Sequence, residues 1–356
     1  MGKTSKIVLV VSNLLVLLLF ALVLECIFRL PFLSEQFKFN YVRQIGRKVG
    51  WYQYDPYTGW RMRPGYKEFV YFPGRSFLDE INIDGWRDKL YPIEKPKGSK
   101  RLGMLGCSFT YGVGVKMEET YPKVLESLFH EQGRSDVEVM NFGTNGWGLD
   151  QMLLGYKAYI RKYKPDLLVV LYTSDTMLRT AYSEMWSTPK PYFFLQNGRL
   201  MLGNQPVPER RYQEMERFFL RRSYLYLFIK DKLLKIAESQ KYKHFLNYSR
   251  SVAGDENLIN LNSAILKLFK EVTALDGVRL MVVVYDKGAP SLVKACRSAG
   301  VEVVDIQDML PGIDMRSTWQ EHSPLHFPPP IMHWNVLGNR SVAQGIFKYL
   351  LAKMMY

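Results

Sequence analysis

The chain has 356 residues, 47% hydrophobic and 14% aromatic, enough to bury a large core. Its three cysteines, Cys26, Cys107 and Cys296, lie too far apart for a disulfide framework or a metal cluster. The formal charge of +14 favours anionic surfaces. Lysines and arginines are nevertheless spread along the chain, with no zinc-finger spacing, RNP-like motif or compact basic tail. This argues against a nucleic-acid partner and for a nearby membrane.

Residues 1–6 form a short tail. Residues 7–24 carry no charge and are interrupted only by Ser12 and Asn13, which suits a bilayer-spanning helix. No small-x-small cleavage site follows, because Glu25, Cys26, Ile27 and Phe28 stand in its place, and Glu25 before Cys26 does not suit lipoprotein processing. The expectation is an uncleaved transmembrane anchor over residues 7–28. A buried core helix is the weaker alternative, since the segment has no polar face. Lys3 and Lys6 precede the span, whereas Arg29, Lys38, Arg43, Arg47 and Lys48 follow it. Taken literally, the positive-inside rule puts the C-terminal body in the cytoplasm.

Residues 29–98 read as an aromatic, β-rich leader packing on the main domain. Turn signals at Asp55-Pro56, Pro64-Gly65, Pro73-Gly74 and Asp84-Gly85 separate short β-like runs at 68–72 and 80–83. Its aromatics suit plain packing or the lining of a sugar site.

Residues 99–356 alternate between strand and helix patterns, as expected of βαβ units and a parallel sheet. Strands are predicted at 101–105, 137–140, 166–172, 278–285 and 301–305. Helices are predicted at 118–132, 149–162, 258–274, 290–298 and 336–353. The rhythm breaks over 176–255, read as an inserted helical cap. It comprises an aromatic, proline-bearing section (189–208) and a basic helical section (210–244). Within the latter, the apolar run 224–229 is too short to span a bilayer. It suits a solvated cap, a membrane-surface helix or a partner-docking helix.

The strand at 101–105 runs into Gly106 and a sharp turn bearing Ser108. Ligands of open α/β sheets gather at that edge. Acyl transfer by serine needs a base within hydrogen-bond reach and donors aimed at the developing oxyanion. Ser108 is the candidate nucleophile and His333 the candidate base. The oxyanion candidates are the Ser108 and Gly146 N–H groups and the Ser174 hydroxyl. Each has a plainer reading: Gly146 turns the chain, Ser174 caps a helix, and His333 is a satisfied buried histidine.

These blocks resemble the SGNH, or GDSL-type, hydrolases. Gly106-Cys107-Ser108-Phe109-Thr110 looks like the first block of that family, and residues 141–148 look like the second, with Gly146 at the oxyanion glycine. Thr173-Ser174-Asp175 falls where the third block has Gly-Asn-Asp, and His333-Trp334-Asn335 looks like the last block's histidine. The leader phrases YDPYTGW, RPGY and INIDGWRD resemble membrane-anchored bacterial members associated with extracellular polysaccharide. The resemblance implies a flavodoxin-like three-layer α/β/α sandwich with a parallel sheet. It also implies an external body on an inner-membrane anchor, in conflict with the charge count, and no metal or organic cofactor. The chain departs from the pattern in three places. Cys107 replaces the usual aspartate beside the serine, and Ser174 stands where the family has its oxyanion asparagine. Pro330 and Ile331 occupy the places of the triad aspartate, leaving Asp314, Glu321 or a backbone carbonyl near Pro330 as candidate orienters of His333.

Two functions follow. The first is serine-dependent hydrolysis or transfer of acyl groups on acetylated carbohydrate, in the cell envelope or exported, with a membrane-bound acyltransferase or polysaccharide-assembly protein as partner. The second is a degenerate SGNH-like scaffold that binds a glycan or membrane partner. A Cys107 nucleophile is a remote third reading, because the turn would aim that side chain away from the site.

Overall fold

The computed structural model describes residues 3–30, 51–72, 75–185, 188–209, 223–226, 228–229, 254–285, 289–314, 323–327 and 333–353. Two compact units are present, and each is taken by itself.

The first unit contains α1 (Lys3–Phe28). Its stretch Ile7–Phe28 is apolar except for Ser12, Asn13 and Glu25, and its most apolar window has no buried share. At 1.5 Å per residue those 22 residues reach about 33 Å, enough to cross a bilayer core. A membrane anchor and a signal sequence share this signature.

In the second unit the leader supplies β1 (Tyr52–Asp55) and β2 (Gly59–Met62), an antiparallel hairpin. A second hairpin follows, β3 (Lys67–Phe72) and β4 (Arg75–Glu80), of which residues 70–76 are counted with the first unit. The run expected at 80–83 is instead the exit from β4 into a turn, where Asn82 Oδ1 accepts from the Asp84 and Trp86 N–H groups. The main domain then runs β5 (Lys100–Gly106), α2 (Ser108–Tyr111), α3 (Tyr121–Glu131), β6 (Val137–Gly143), α4 (Leu149–Gly155) and β7 (Leu167–Thr173). After α5 (Ser174–Leu178) come β8 (Glu184–Met185), β9 (Thr188–Pro189), β10 (Tyr192–Gln196) and β11 (Arg199–Gly203). The chain closes with α6 (Glu256–Leu275), β12 (Arg279–Tyr285), α7 (Ala289–Ser298), β13 (Glu302–Asp305), α8 (Ile306–Met309) and α9 (Val336–Ala352).

Five strands form one parallel sheet in the order β13-β12-β7-β5-β6. One face packs α3 and α9 against Leu102, Met104, Val169, Met281 and Val283, all buried. The other carries α4, α6 and α7, tied in by the Tyr172 hydroxyl donating to Asn262 Oδ1 at 2.9 Å. The expected α/β/α layering is present.

Two expectations are corrected. The helix expected over 149–162 is α-helical only to Gly155, continuing as a π turn at Tyr156–Ile160 and a 3-10 turn at Arg161–Tyr163. Up to Gly203 the insertion, expected as a helical cap, is helical only over 176–181 and carries the β8–β9 and β10–β11 hairpins over 184–203. Asn197 and Gly198, both at positive φ (51° and 75°), make the tight turn that β10 and β11 require. The basic section at 210–244 lies largely outside the described residues.

Lys190 holds this insertion down. Its fully buried Nζ pairs with fully buried Asp150 on α4 and donates to the carbonyls of Arg179, Tyr182 and Pro191. Burial pushes the Asp150 carboxyl up and the Lys190 amine down, against the attraction of the pair. Lys190→Met alone should therefore cost about 3–5 kcal/mol in urea unfolding, by stranding a buried carboxylate. The double variant Lys190→Met, Asp150→Leu should recover most of that loss.

Candidate active site

β5 ends at Gly106, and the chain turns at once into α2, with Cys107 buried at the corner and Ser108 as the first helical residue. A Cβ on Gly106 would stand 2.1 Å from Thr110 Oγ1, so this turn requires glycine. The helix lasts one turn and ends at Gly112, with φ 84°.

Ser108 Oγ lies 2.7 Å from His333 Nε2. With the ring proton on Nδ1, Nε2 accepts from the hydroxyl, as a general base does from its nucleophile. The imidazole meets Ser108 rather than Cys107. Phe109 packs on the His333 ring at 4.8 Å between centroids. The backbone around His333 is pinned as well. Its carbonyl accepts from the Phe327 N–H at 2.9 Å, Leu325 O accepts from the Asn335 N–H at 2.9 Å, and His326 bridges Trp334.

The strands carrying the other candidates lie beside β5 in parallel register, Gly106 opposite Gly143 and Leu105 opposite Val170. The loops bearing Ser108, Gly146 and Ser174 therefore leave one edge of the sheet. Gly146 sits at φ 80°, and its N–H donates to no group among the described residues. The Ser108 N–H, first in its helix, has no intrahelical acceptor. Ser174 is the first residue of α5, and the cap is Thr173, whose side chain accepts from the Thr176 N–H. Asp314 is exposed beyond α8, while Glu321, Pro330 and Ile331 lie outside the described residues.

Three groups passed over in the sequence belong to this region. Asn145 is buried to 2% exposure, and among the described residues neither Nδ2 nor Oδ1 has a hydrogen-bond partner. Only its carbonyl is held, by Trp60 Nε1 at 3.1 Å. The second is Arg87, fully buried in the INIDGWRD phrase. Its Nη1 donates to the carbonyls of Tyr111 (3.1 Å) and Gly112 (3.0 Å), and Nη2 donates to Val115 O (2.7 Å). Asp79 balances the guanidinium and accepts from the Tyr111 hydroxyl at 2.6 Å. The third is His326, whose Nε2 shares a 2.5 Å hydrogen bond with the Tyr285 hydroxyl at the end of β12. An unpaired buried amide and an arginine spent on backbone carbonyls have no spacing signature.

The leader aromatics Trp60 and Trp86 are buried as packing. Trp86 stands edge-on to Phe142 and Trp147, and the indole of Trp147 donates to Trp60 O at 2.9 Å.

No family model matches the sequence, and no curated protein matches it. Solved structures that are similar include an acetyl xylan esterase, AlAXEase, 10% identical with TM-score 0.40 over 70% of this chain and 99% of that one. The Clostridium thermocellum family 3 carbohydrate esterase is 13% identical, TM-score 0.38, over 72% and 98%. A catalytic mutant of an acetylxylan esterase from Geobacillus stearothermophilus is 9% identical, TM-score 0.38, over 72% and 95%. Identities this low leave function to be read from the site's own residues.

Two outcomes are expected. Arg87→Lys keeps the charge but loses the fork that spans three carbonyls. Labelling of Ser108 by a fluorophosphonate should slow at least about tenfold, with the far-ultraviolet circular dichroism unchanged. Burial holds His326 down to about 4, against 6.5 for a free histidine. Between those values the unfolded chain takes up a proton that the folded chain refuses, so stability falls as pH drops through that window and is untouched by this group above it. The slope of Tm against pH there should flatten in His326→Gln.

Proposed function

We propose that this chain is a serine-dependent acyl ester hydrolase or O-acetyltransferase, with Ser108 as nucleophile and His333 as base. The observation carrying this reading is the 2.7 Å contact between Ser108 Oγ and His333 Nε2, side chains 225 residues apart. That contact favours an enzyme over a binding-only scaffold, which has no use for a hydroxyl held against an imidazole.

Ser108 Oγ attacks the ester carbonyl as Nε2 takes its proton. The oxyanion is met by the N–H groups of Ser108 and Gly146 and by the Ser174 hydroxyl. Asn145 Nδ2, unspent in the same loop as Gly146, is a further donor and offsets the missing asparagine at position 174. The imidazolium returns its proton to the departing alcohol, leaving an acyl-serine. Water then releases the acid, or a sugar hydroxyl takes the acyl group. Phe109 and the 326–334 bridge steady the imidazole, with Asp314 or Glu321 as the carboxylate to complete it.

The motif resemblance supports acetylated carbohydrate as substrate, within an envelope or exported polysaccharide. With α1 as a single-pass inner-membrane anchor, the body works outside the cytoplasm beside a membrane-bound acyltransferase or assembly protein.

Hydrolysis of a small aryl acetate by the full chain in detergent tests the pair. Ser108→Ala and His333→Ala should each lower kcat/KM by at least about a thousandfold. Asn145→Ala should lower kcat about a hundredfold without lowering Tm. Equal rates in wild type, Ser108→Ala and His333→Ala would overturn the hydrolase reading.

A further inference from the structure

Glu25 lies in the last turns of α1, where an unanswered charge is costly if that helix crosses a bilayer. Its partners come from about 200 residues further on. Oε2 accepts from the Ser223 hydroxyl at 2.9 Å and from the Leu225 N–H at 2.9 Å, while Oε1 accepts from the Tyr224 N–H at 3.0 Å. Arg29, one turn on, adds Nε at 2.9 Å and Nη2 at 2.8 Å. Both carboxylate oxygens are thus engaged and the charge is balanced.

Packing follows the same line. Phe28 stacks on Phe228 at 5.0 Å between ring centroids, and the Arg29 guanidinium lies 5.2 Å from the centre of the Tyr224 ring. Tyr224, Leu225, Tyr226, Phe228 and Ile229 beside an arginine make the aromatic, aliphatic and cationic mixture that suits a membrane–water boundary. Ile229 is 47% exposed, an apolar side chain next in sequence to the Phe228 that stacks on the end of α1. None of these groups belongs to the serine site.

We propose that residues 223–229 are a second membrane contact, seated in the lipid headgroup boundary and latched through Glu25 to the end of α1. The proposal rests on α1 as the membrane-crossing segment and deepens that reading, because a helix bonded this way is a retained part of the folded chain. A leader peptide removed after export builds no such bonds with a segment 200 residues downstream. The attachment then has two parts: an apolar span, and a short aromatic segment whose own apolar run is too brief to hold the bilayer alone.

The test uses the full chain in nanodiscs of phosphatidylcholine and phosphatidylglycerol. Cys26→Ser removes the exposed thiol, Cys107 and Cys296 being buried, and Ile229→Cys carries a nitroxide spin label. Relaxation by dissolved oxygen should exceed relaxation by a water-soluble nickel chelate severalfold, and Glu25→Ala should bring the two together. Phe28→Cys with Phe228→Cys should form an intramolecular disulfide under mild oxidation. A nickel-accessible label on a chain of intact mass would overturn the latch, as would an oxygen-rich label indifferent to Glu25→Ala. A purified chain whose mass lacks α1 would overturn the anchor reading itself. Aryl acetate turnover on the same samples should not change with Glu25→Ala, keeping this result separate from the hydrolase reading.

Discussion

The turn after Ser108 cannot satisfy its own backbone. α2 is a single helical turn, so among the described residues the carbonyls of Tyr111 and Val115 meet no backbone amide, and that of Gly112 meets only the Val115 N–H at 3.3 Å. Arg87 meets all three. A buried guanidinium in turn needs a counter-charge, and Asp79 supplies it while taking the Tyr111 hydroxyl with its other oxygen. Desolvation beside that carboxylate holds the Tyr111 phenol well above its usual range, so it stays a donor. The position of Ser108 thus depends on two leader residues that never approach the reacting atoms. The leader is part of the site's foundation.

The neighbouring residue, Asp88, does the same for the edge of the sheet. β6 pairs with β5 on one side only, which leaves alternate backbone groups on its outer side unmet. Asp88 accepts from the Asn141 N–H at 2.7 Å, and Glu126 accepts from the Val139 N–H at 3.0 Å. The Tyr91 hydroxyl (3.0 Å) and Lys123 Nζ (2.6 Å) both donate to Val139 O. The edge is closed to another strand, and the loop after β6 starts from a fixed point. A site held within tenths of an ångström needs such support from rigid elements. One dipeptide, Arg87-Asp88, steadies both the loop that bears Ser108 and the loop that bears Gly146.

The five sheet strands were legible because a parallel strand covered on both faces is a short continuous apolar run, as in Leu168-Val169-Val170-Leu171 and Met281-Val282-Val283-Val284. Ser108 and His333 were legible through the turn and the motif resemblance, and the structure brings them together. The Asn197-Gly198 turn is a hairpin signal in the sequence, but it lies in a proline-bearing section without the strand–helix alternation that marks the main sheet. The π turn at Tyr156–Ile160 has the helical pattern of an α-helix and differs only in its bonding. Arg87, Asn145 and the Tyr285–His326 pair were not legible. Their partners are backbone carbonyls, no group at all, or a residue 41 positions away.

Asn145 carries the last step. Leaving a buried polar atom unpaired costs roughly 1–3 kcal/mol, and among the described residues both ends of the Asn145 amide are unpaired while the next residue, Gly146, at φ 80°, has no acceptor for its N–H. A chain shaped only for stability would place an apolar residue there. The surroundings instead hold the loop rigid. The Trp60 indole fixes the Asn145 carbonyl, the Trp147 indole returns to Trp60 O, and Gln151 Nε2 reaches Thr58 O at 2.7 Å. A rigid loop cannot turn its donors elsewhere to relieve the cost. An oxygen acquiring negative charge gains most from donors already in place, since no reorganisation is then required, and that is the use the proposed reaction has for this amide.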